Sequence, residues 1–256
     1  MSRIRHALIT GASSGIGEAL ARELGNRGAR LDLCARRVDR LERLAGSLAA
    51  LGVDVRIAEV DVRDASAVKE FVTAADDRSE QGLDLVVANA GVGNAAPIAE
   101  LSFEELDETL TVNVRGAVAT LHAGLGCCLP RGRGTLCGIS SLASLGGMPG
   151  SGAYSASKAA LSTFLQTLRL DLRGTGLHVL DVQPGFVVSE MTGGGTEHPV
   201  FSSRSMVATD EAARRIVDGV ESGRAVVSFP RSESLPLRAL RSGPRWVWDA
   251  VMSRLR

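Results

Sequence analysis

The sequence predicts an α/β fold, a doubly wound parallel sheet forming a single domain, and three observations carry that expectation. A short apolar run, His6 to Thr10, ends in a glycine-rich turn and passes into Ala19, Leu20 and Leu24, which repeat at helical spacing. Six further strand-like runs follow, at Arg30 to Ala35, Val53 to Val60, Leu83 to Ala88, Gly134 to Ile139, Leu177 to Val182 and Ala225 to Phe229, with helix-length amphipathic segments between them. Strands separated in this way require right-handed crossovers, which give a parallel sheet covered on both faces. Finally, 256 residues that are 45% hydrophobic, without a long low-complexity tract, suit one substantial core better than two.

Charge and composition narrow the function classes. The formal net charge is zero, so there is no electrostatic case for a nucleic-acid partner, and among the cations only Lys69 and Lys158 are lysines. Cys34, Cys127, Cys128 and Cys137 lie in apolar surroundings without metal-ligand spacing and read as buried thiols. The four histidines pair with no Cys, Asp or Glu at ligand spacing, so no metal site is expected. The opening MSRIRHALIT has no long apolar run or small-residue cleavage site, and a soluble cytoplasmic protein is the expectation.

Taken in order, the first strand meets the turn Thr10-Gly11-Ala12-Ser13-Ser14-Gly15-Ile16-Gly17. Glycines at a strand-to-helix junction allow a tight turn and close approach of a pyrophosphate, whose charge meets free N–H groups at the helix N-terminus. Asp32 sits in the middle of the second run, where two buried faces are expected, and it should lie near the strand's start or be paired. Ligands in such sheets bind beyond the carboxyl ends of the strands, where Gly11, Asn89, Ser141 and Pro184 would all fall. The segment from Ser141 to Lys158 precedes an apolar face at Leu161, Phe164, Leu165, Leu168 and Leu172, which places Tyr154 and Lys158 one helical turn apart. An ammonium beside a phenol favours phenolate and lowers its pKa, which suits Tyr154 for general acid/base work. Ser141 could then hydrogen-bond a substrate oxygen.

Six motifs in order resemble the short-chain dehydrogenase/reductase family over residues 5 to about 230. They are the glycine turn; Asn89-Ala90-Gly91; Asn113 within Val112-Asn113-Val114; Ser141; Tyr154 with Lys158; and Pro184-Gly185 with Val187 and Ser189. Ala88 stands where the family often has a second Asn, and Ser189 replaces a commoner Thr while keeping the hydroxyl. The resemblance implies a Rossmann-type three-layer sandwich over 1–230 that binds a nicotinamide cofactor and carries the catalytic residues. It assigns Tyr154 as proton donor or acceptor and Lys158 to the nicotinamide ribose. Ser141 would bind the substrate oxygen, and Asn113 would hold a water relay. Cofactor contacts are expected from Gly11, Ser13, Ser14, Gly15, Ile16, Gly17, Asp61, Val62, Asn89, Ala90, Gly91, Tyr154, Lys158, Pro184, Gly185, Val187 and Ser189, with Asp61 beside the adenine.

Cofactor choice turns on the end of the second strand. An acid there would bond the adenosine ribose and repel a 2′-phosphate. The position holds Ala35, followed by Arg36 and Arg37, so NADP is expected, read chiefly by Arg36 with Arg37 assisting. Pocket walls are expected from Val92 to Asn94, Leu142 to Met148, Phe186 and Met191 to Met206, the last reading as a mobile lid. Their apolar character points to a carbonyl or secondary alcohol on a mainly hydrophobic small molecule.

Residues 231–256 carry six arginines against two acids, with Trp246, Val247, Val251, Met252 and Leu255 on a helix-like stripe. Packing on the body or on a partner subunit is preferred over capping the pocket or touching a membrane. Apolar Val118, Leu121, Phe164 and Leu168 lie beyond one core stripe and, with the resemblance, suggest a homodimer or homotetramer. Two other functions fit the sequence less well. A non-catalytic dinucleotide sensor would usually show a damaged catalytic set, which is intact here, and sugar-nucleotide epimerases resemble a longer branch with different glycine spacing.

Overall fold

The computed structural model describes residues 3–93, 96–195 and 206–255. Seven parallel strands, β1 (His6–Thr10), β2 (Arg30–Ala35), β3 (Val55–Glu59), β4 (Leu85–Ala88), β5 (Gly134–Ile139), β6 (Leu177–Pro184) and β7 (Val226–Phe229), lie in the order β3-β2-β1-β4-β5-β6-β7. The winding reverses between β1 and β4, and this is where a doubly wound sheet opens a crevice at its carboxyl edge. β6 runs two residues beyond the predicted strand and delivers Pro184 to that edge, where it pairs with Phe229.

Alternating strand residues feed two apolar layers, as the pleat requires. Ala7 and Ile9 join the core beneath α1 (Gly15–Asn26), α2 (Val38–Ala49) and α7 (Thr209–Glu221). Leu8 faces the other layer, under α3 (Ala65–Asp76), α5 (Ala117–Cys128) and α6 (Gly152–Asp171). Leu161, Leu165, Leu168 and Leu172 form the buried stripe of α6, as their spacing predicts. Leu121 and Leu168 are core residues, so the apolar surface offered for self-association reduces to the half-buried Val118 and Phe164. Of the cysteines, Cys34, Cys128 and Cys137 are buried, while Cys127 is only half-buried. Among the described residues no helix is long and apolar enough to cross a membrane.

Asp32 is the third residue of β2 and is 0% exposed. Burial alone would favour its neutral form, but three donors hold the charge. His6 Nε2 lies 2.7 Å from Oδ2, Arg78 Nη1 donates to Oδ2 at 2.8 Å, and Arg56 Nε donates to Oδ1 at 2.7 Å. Their hydrogen bonds and charges outweigh the desolvation and keep its carboxyl below the usual range.

Past β7, α8 (Arg231–Ser242) and α9 (Arg245–Met252) fold back on the sheet's carboxyl edge. Arg238 Nη2 donates to Gln183 Oε1 in β6 at 2.8 Å. Trp248 Nε1 donates to Gly147 O at 2.9 Å, and the indole lies so close to Gly146 that a Cβ there would come within 2.5 Å of it. The packed face of α9 is therefore Trp248 and Met252, whereas Trp246, placed on the predicted stripe, is 71% exposed. Met252 belongs to the predicted stripe, and the hydrogen bond of the Trp248 indole N–H turns that residue, which the stripe lacks, inward beside it.

Replacing Asp32 with Asn should cost about 3 kcal/mol in urea unfolding, because it leaves buried donors facing a neutral group. The lowered carboxyl pKa makes its contribution present above the unfolded-state value and lost as pH falls through the folded-state value, so the variant and the parent should converge in acid. A difference below about 1 kcal/mol at neutral pH would show that the cluster contributes little.

Candidate active site

A cleft of about 490 Å³ opens at the carboxyl ends of β1 and β4 to β6. Its floor is the glycine turn. Gly11 has φ +66°, and a Cβ there would stand 2.6 Å from the Ala90 Cα, so the turn passes the Asn89-Ala90-Gly91 segment at a distance only glycine permits. The two segments are also laced together. Thr10 Oγ1 accepts from the amide N–H groups of Asn89 (3.1 Å) and Ala90 (3.3 Å), while Asn89 Nδ2 donates to the carbonyls of Thr10 and Gly11, each at 3.0 Å.

Asn89 lines the cleft, but its side-chain amide N–H groups are spent on this lacing. Gly17 does not line the cleft, contrary to its expected cofactor contact. A Cβ there would meet Asn89 Nδ2 and Gly11 O at 2.5 Å, so its role is close packing beneath the turn. Ser14, at the N-cap of α1, makes no capping hydrogen bond, which leaves the first-turn N–H groups without a side-chain acceptor at the cleft wall. Every other residue expected from the sequence to touch the cofactor lines the cleft. Uncapped donors and close-passing glycines fit a pyrophosphate-bearing dinucleotide.

Tyr154 and Lys158, one turn apart on α6, form the opposite wall. Lys158 is 4% exposed, and its Nζ donates to Ile139 O at the end of β5 (2.9 Å) while lying 5.5 Å from the Tyr154 ring centroid. Ser141 donates to Pro184 O (3.3 Å) and accepts from Ala143 N (3.1 Å), which fixes its hydroxyl between β5 and β6. Asn113 sits in a π-helical turn, 111–116, that joins α4 (Phe103–Leu110) to α5. Such turns re-aim a side chain out of helical register. Its amide grips the Val92 backbone through N–H···Oδ1 and Nδ2–H···O bonds, both 2.8 Å, and also donates to Ser157 Oγ at 3.0 Å.

The electrostatics depart from the expectation that Lys158 lowers the tyrosine pKa. Burial pushes the Tyr154 phenol above its usual value, and its interaction with the Ser141 hydroxyl offsets this only in part. The same burial brings Lys158 down to about 8, opposed by the negative charge of Asp181. Burial thus moves the two ionisations apart and does not draw the phenol down toward neutrality. Asp181 was not anticipated. It is an acid inside the apolar run Leu177 to Val182, held by Ser140, by Ser162 Oγ (2.6 Å) and by Gln183 Nε2 (2.7 Å). Its isolation in that run was the available signal.

At the other end of the cleft the two arginines, both expected to meet a 2′-phosphate, turn to different partners. Arg36 leans toward Glu108, with a 3.7 Å ion pair, whereas Arg37 folds onto the glycine turn. Its Nη2 donates to Ser14 Oγ (2.6 Å) and Ser13 Oγ (3.2 Å), and its Nε to Ser13 Oγ (3.3 Å). Asp61 is held by Arg63 Nη2 at 2.6 Å, which keeps its carboxyl below the usual range. Glu190, Met191 and Thr192 also line the cleft; Met191 and Thr192 lie in the segment expected there, and Glu190 falls just before it. Asn94 and most of the expected lid, 196–205, lie outside the described residues.

A sheet that reverses its winding above a glycine turn, with a Tyr–Lys pair on the facing wall, places the molecule among the doubly wound α/β oxidoreductases. Comparison with known proteins makes the assignment specific. A family model described as short chain dehydrogenase matches residues 5–199. An oxidoreductase of Myxococcus xanthus (strain DK1622), described as uncharacterized, is 44% identical over 252 residues, 98% of each chain. An alcohol dehydrogenase from the archaeon Thermococcus sibiricus, solved with 5-hydroxy-NADP, is 33% identical with a TM-score of 0.78, covering 90% of this chain and 97% of its own. A variant of the actinorhodin polyketide ketoreductase, solved with NADPH, is 28% identical with a TM-score of 0.81 over the same shares. The chain belongs to the short-chain dehydrogenase family.

Because the sequence holds only two lysines, lysine-selective carbon-13 labelling gives two side-chain signals, and Lys69→Arg assigns them. Lys158 should titrate near pH 8, and Asp181→Asn should move its midpoint lower, since it removes the charge that opposes desolvation. An unshifted midpoint would remove Asp181 from the site.

Proposed function

We propose that this protein is an NADP(H)-dependent oxidoreductase that interconverts a carbonyl and an alcohol on a mainly hydrophobic substrate. The observation that carries the proposal is that Tyr154 and the buried Lys158 line the same cleft as the glycine turn, so a proton donor faces the place where a dinucleotide fits. When bound, the nicotinamide ring supplies the hydride. The chain's own residues do the rest. Tyr154 gives its phenolic proton to the carbonyl oxygen in reduction and takes it back in oxidation. Ser141, already oriented by Pro184 and Ala143, hydrogen-bonds the same oxygen.

Lys158 turns from the Ile139 carbonyl to the ribose hydroxyls and restores the proton through a water held near Asn113. Val92, Gly93 and Met191 offer the substrate mainly apolar walls, and the cations that line the cleft, Lys158, Arg36 and Arg37, are assigned to the cofactor. Arg37, seated on Ser13 and Ser14 beside the second strand's end, is the residue best placed to receive a 2′-phosphate, with Arg36 secondary. Solved structures similar to this chain hold 5-hydroxy-NADP, NADPH and, in another case, NAD, so the choice rests on the arginines.

The test is NADPH consumption by purified protein against ketones, aldehydes and quinones. Tyr154→Phe should lower turnover by about 10²- to 10⁴-fold while NADPH still binds. Retention of more than about a tenth of the activity would contradict the role. With one active substrate, kcat/KM should favour NADPH over NADH by at least about tenfold, and Arg37→Ala should remove most of that preference. Equal efficiency with the two cofactors in the parent protein would show that the phosphate is not read.

A further inference from the structure

Arg37 carries an anion of the protein's own. Past β6 the chain enters a short 3₁₀ turn, Glu190–Gly195, which Thr192 pins. Its Oγ1 donates to Val187 O at 2.8 Å and accepts from Ser189 N at 3.0 Å. Glu190 is therefore fixed to the segment expected to hold the nicotinamide end, yet its carboxylate reaches across the cleft mouth to the adenosine end. Arg37 Nη1 donates to Oε2 at 2.8 Å, and Arg40 Nη1, one turn into α2, donates to Oε1. Together the two guanidiniums hold the Glu190 carboxyl below its usual range, Arg37 first and Arg40 second. With Nε and Nη2 on Ser13 and Ser14 and one N–H of Nη1 on Glu190, four of the five N–H donors of Arg37 are engaged, so a phosphate gains a two-point grip only by displacing one of these acceptors. The serines are neutral, whereas Glu190 would stand as a like charge beside the phosphate, so Glu190 is the acceptor that leaves.

We propose that Glu190 is an internal competitor for the cofactor's 2′-phosphate, holding Arg37 and Arg40 until the phosphate takes them, and so limits how strongly the protein distinguishes NADPH from NADH. This rests on the NADP reading given above. A cofactor without the phosphate leaves the bridge in place, so the competition falls on NADPH alone. Both partners are about half-exposed, which keeps the effect modest.

The test is the ratio of dissociation constants, NADH over NADPH, followed by cofactor fluorescence for the parent protein, Glu190→Gln, Arg37→Ala and the double variant. Glu190→Gln should raise the ratio by about three- to tenfold, the scale of two half-exposed ion pairs, and the rise should vanish when Arg37 is also replaced. A ratio that Glu190→Gln leaves unchanged or lowers, in a protein whose NADPH preference Arg37→Ala abolishes, overturns the competition and leaves the NADP reading standing. A parent ratio near one that Arg37→Ala does not move overturns that reading, and the proposal with it.

Discussion

Lys158 is the only lysine in the protein's interior, and its burial sets conditions on most of the cleft. An ammonium taken out of water loses hydration that must be replaced by fixed dipoles and charge. Ile139 O supplies the dipole, which requires β5 to stop at that residue with its carbonyl facing α6. Asp181 supplies the charge from the neighbouring strand and is itself held by Ser140, Ser162 and Gln183. Gln183 in turn accepts from Arg238, so α8 is tied through a side-chain chain to the residue that steadies the amine. The C-terminal helices thus join the catalytic wall by hydrogen bonds as well as by the Trp248 contact with Gly147.

This arrangement separates what the tyrosine and lysine do alone from what they do with a cofactor. In the cofactor-free molecule, burial raises the phenol and lowers the amine, moving their ionisations apart. A proton donor that holds its proton suits the reductive direction. Under the proposed function, an oxidised nicotinamide ring bound in the cleft would add a positive charge that favours phenolate.

Much of the fold was legible because its signals are local. The glycine turn, the alternation of strands and helices, and the stripe Leu161, Leu165, Leu168 and Leu172 depend on neighbours a few residues away. The Tyr154–Lys158 pair was legible for the same reason. What escaped depends on partners far apart in the chain. Arg37 meets Glu190 across 153 residues, and nothing near Arg36 and Arg37 says which of them turns toward Ser13. Asp181 was hidden within a run of apolar neighbours, and Gly17 reads as a cofactor contact until its closeness to Asn89 Nδ2 is seen. The sign of the tyrosine shift failed for a different reason. Spacing reports that the ammonium is near, but the depth of burial that outweighs it is a tertiary property.

The proposed chemistry rests on Tyr154 as a half-buried proton donor whose phenol desolvation holds above its ordinary value and which a bound cofactor would bring down. The protein offers a direct measurement, because Tyr154 is its single tyrosine. Phenolate absorbance in the near ultraviolet, followed against pH, therefore reports this one hydroxyl. Without cofactor the midpoint should lie above the ordinary value of about 10, and saturating NADP⁺ should bring it down. A midpoint below about 10 in the free protein, or one that NADP⁺ does not move, would contradict the account.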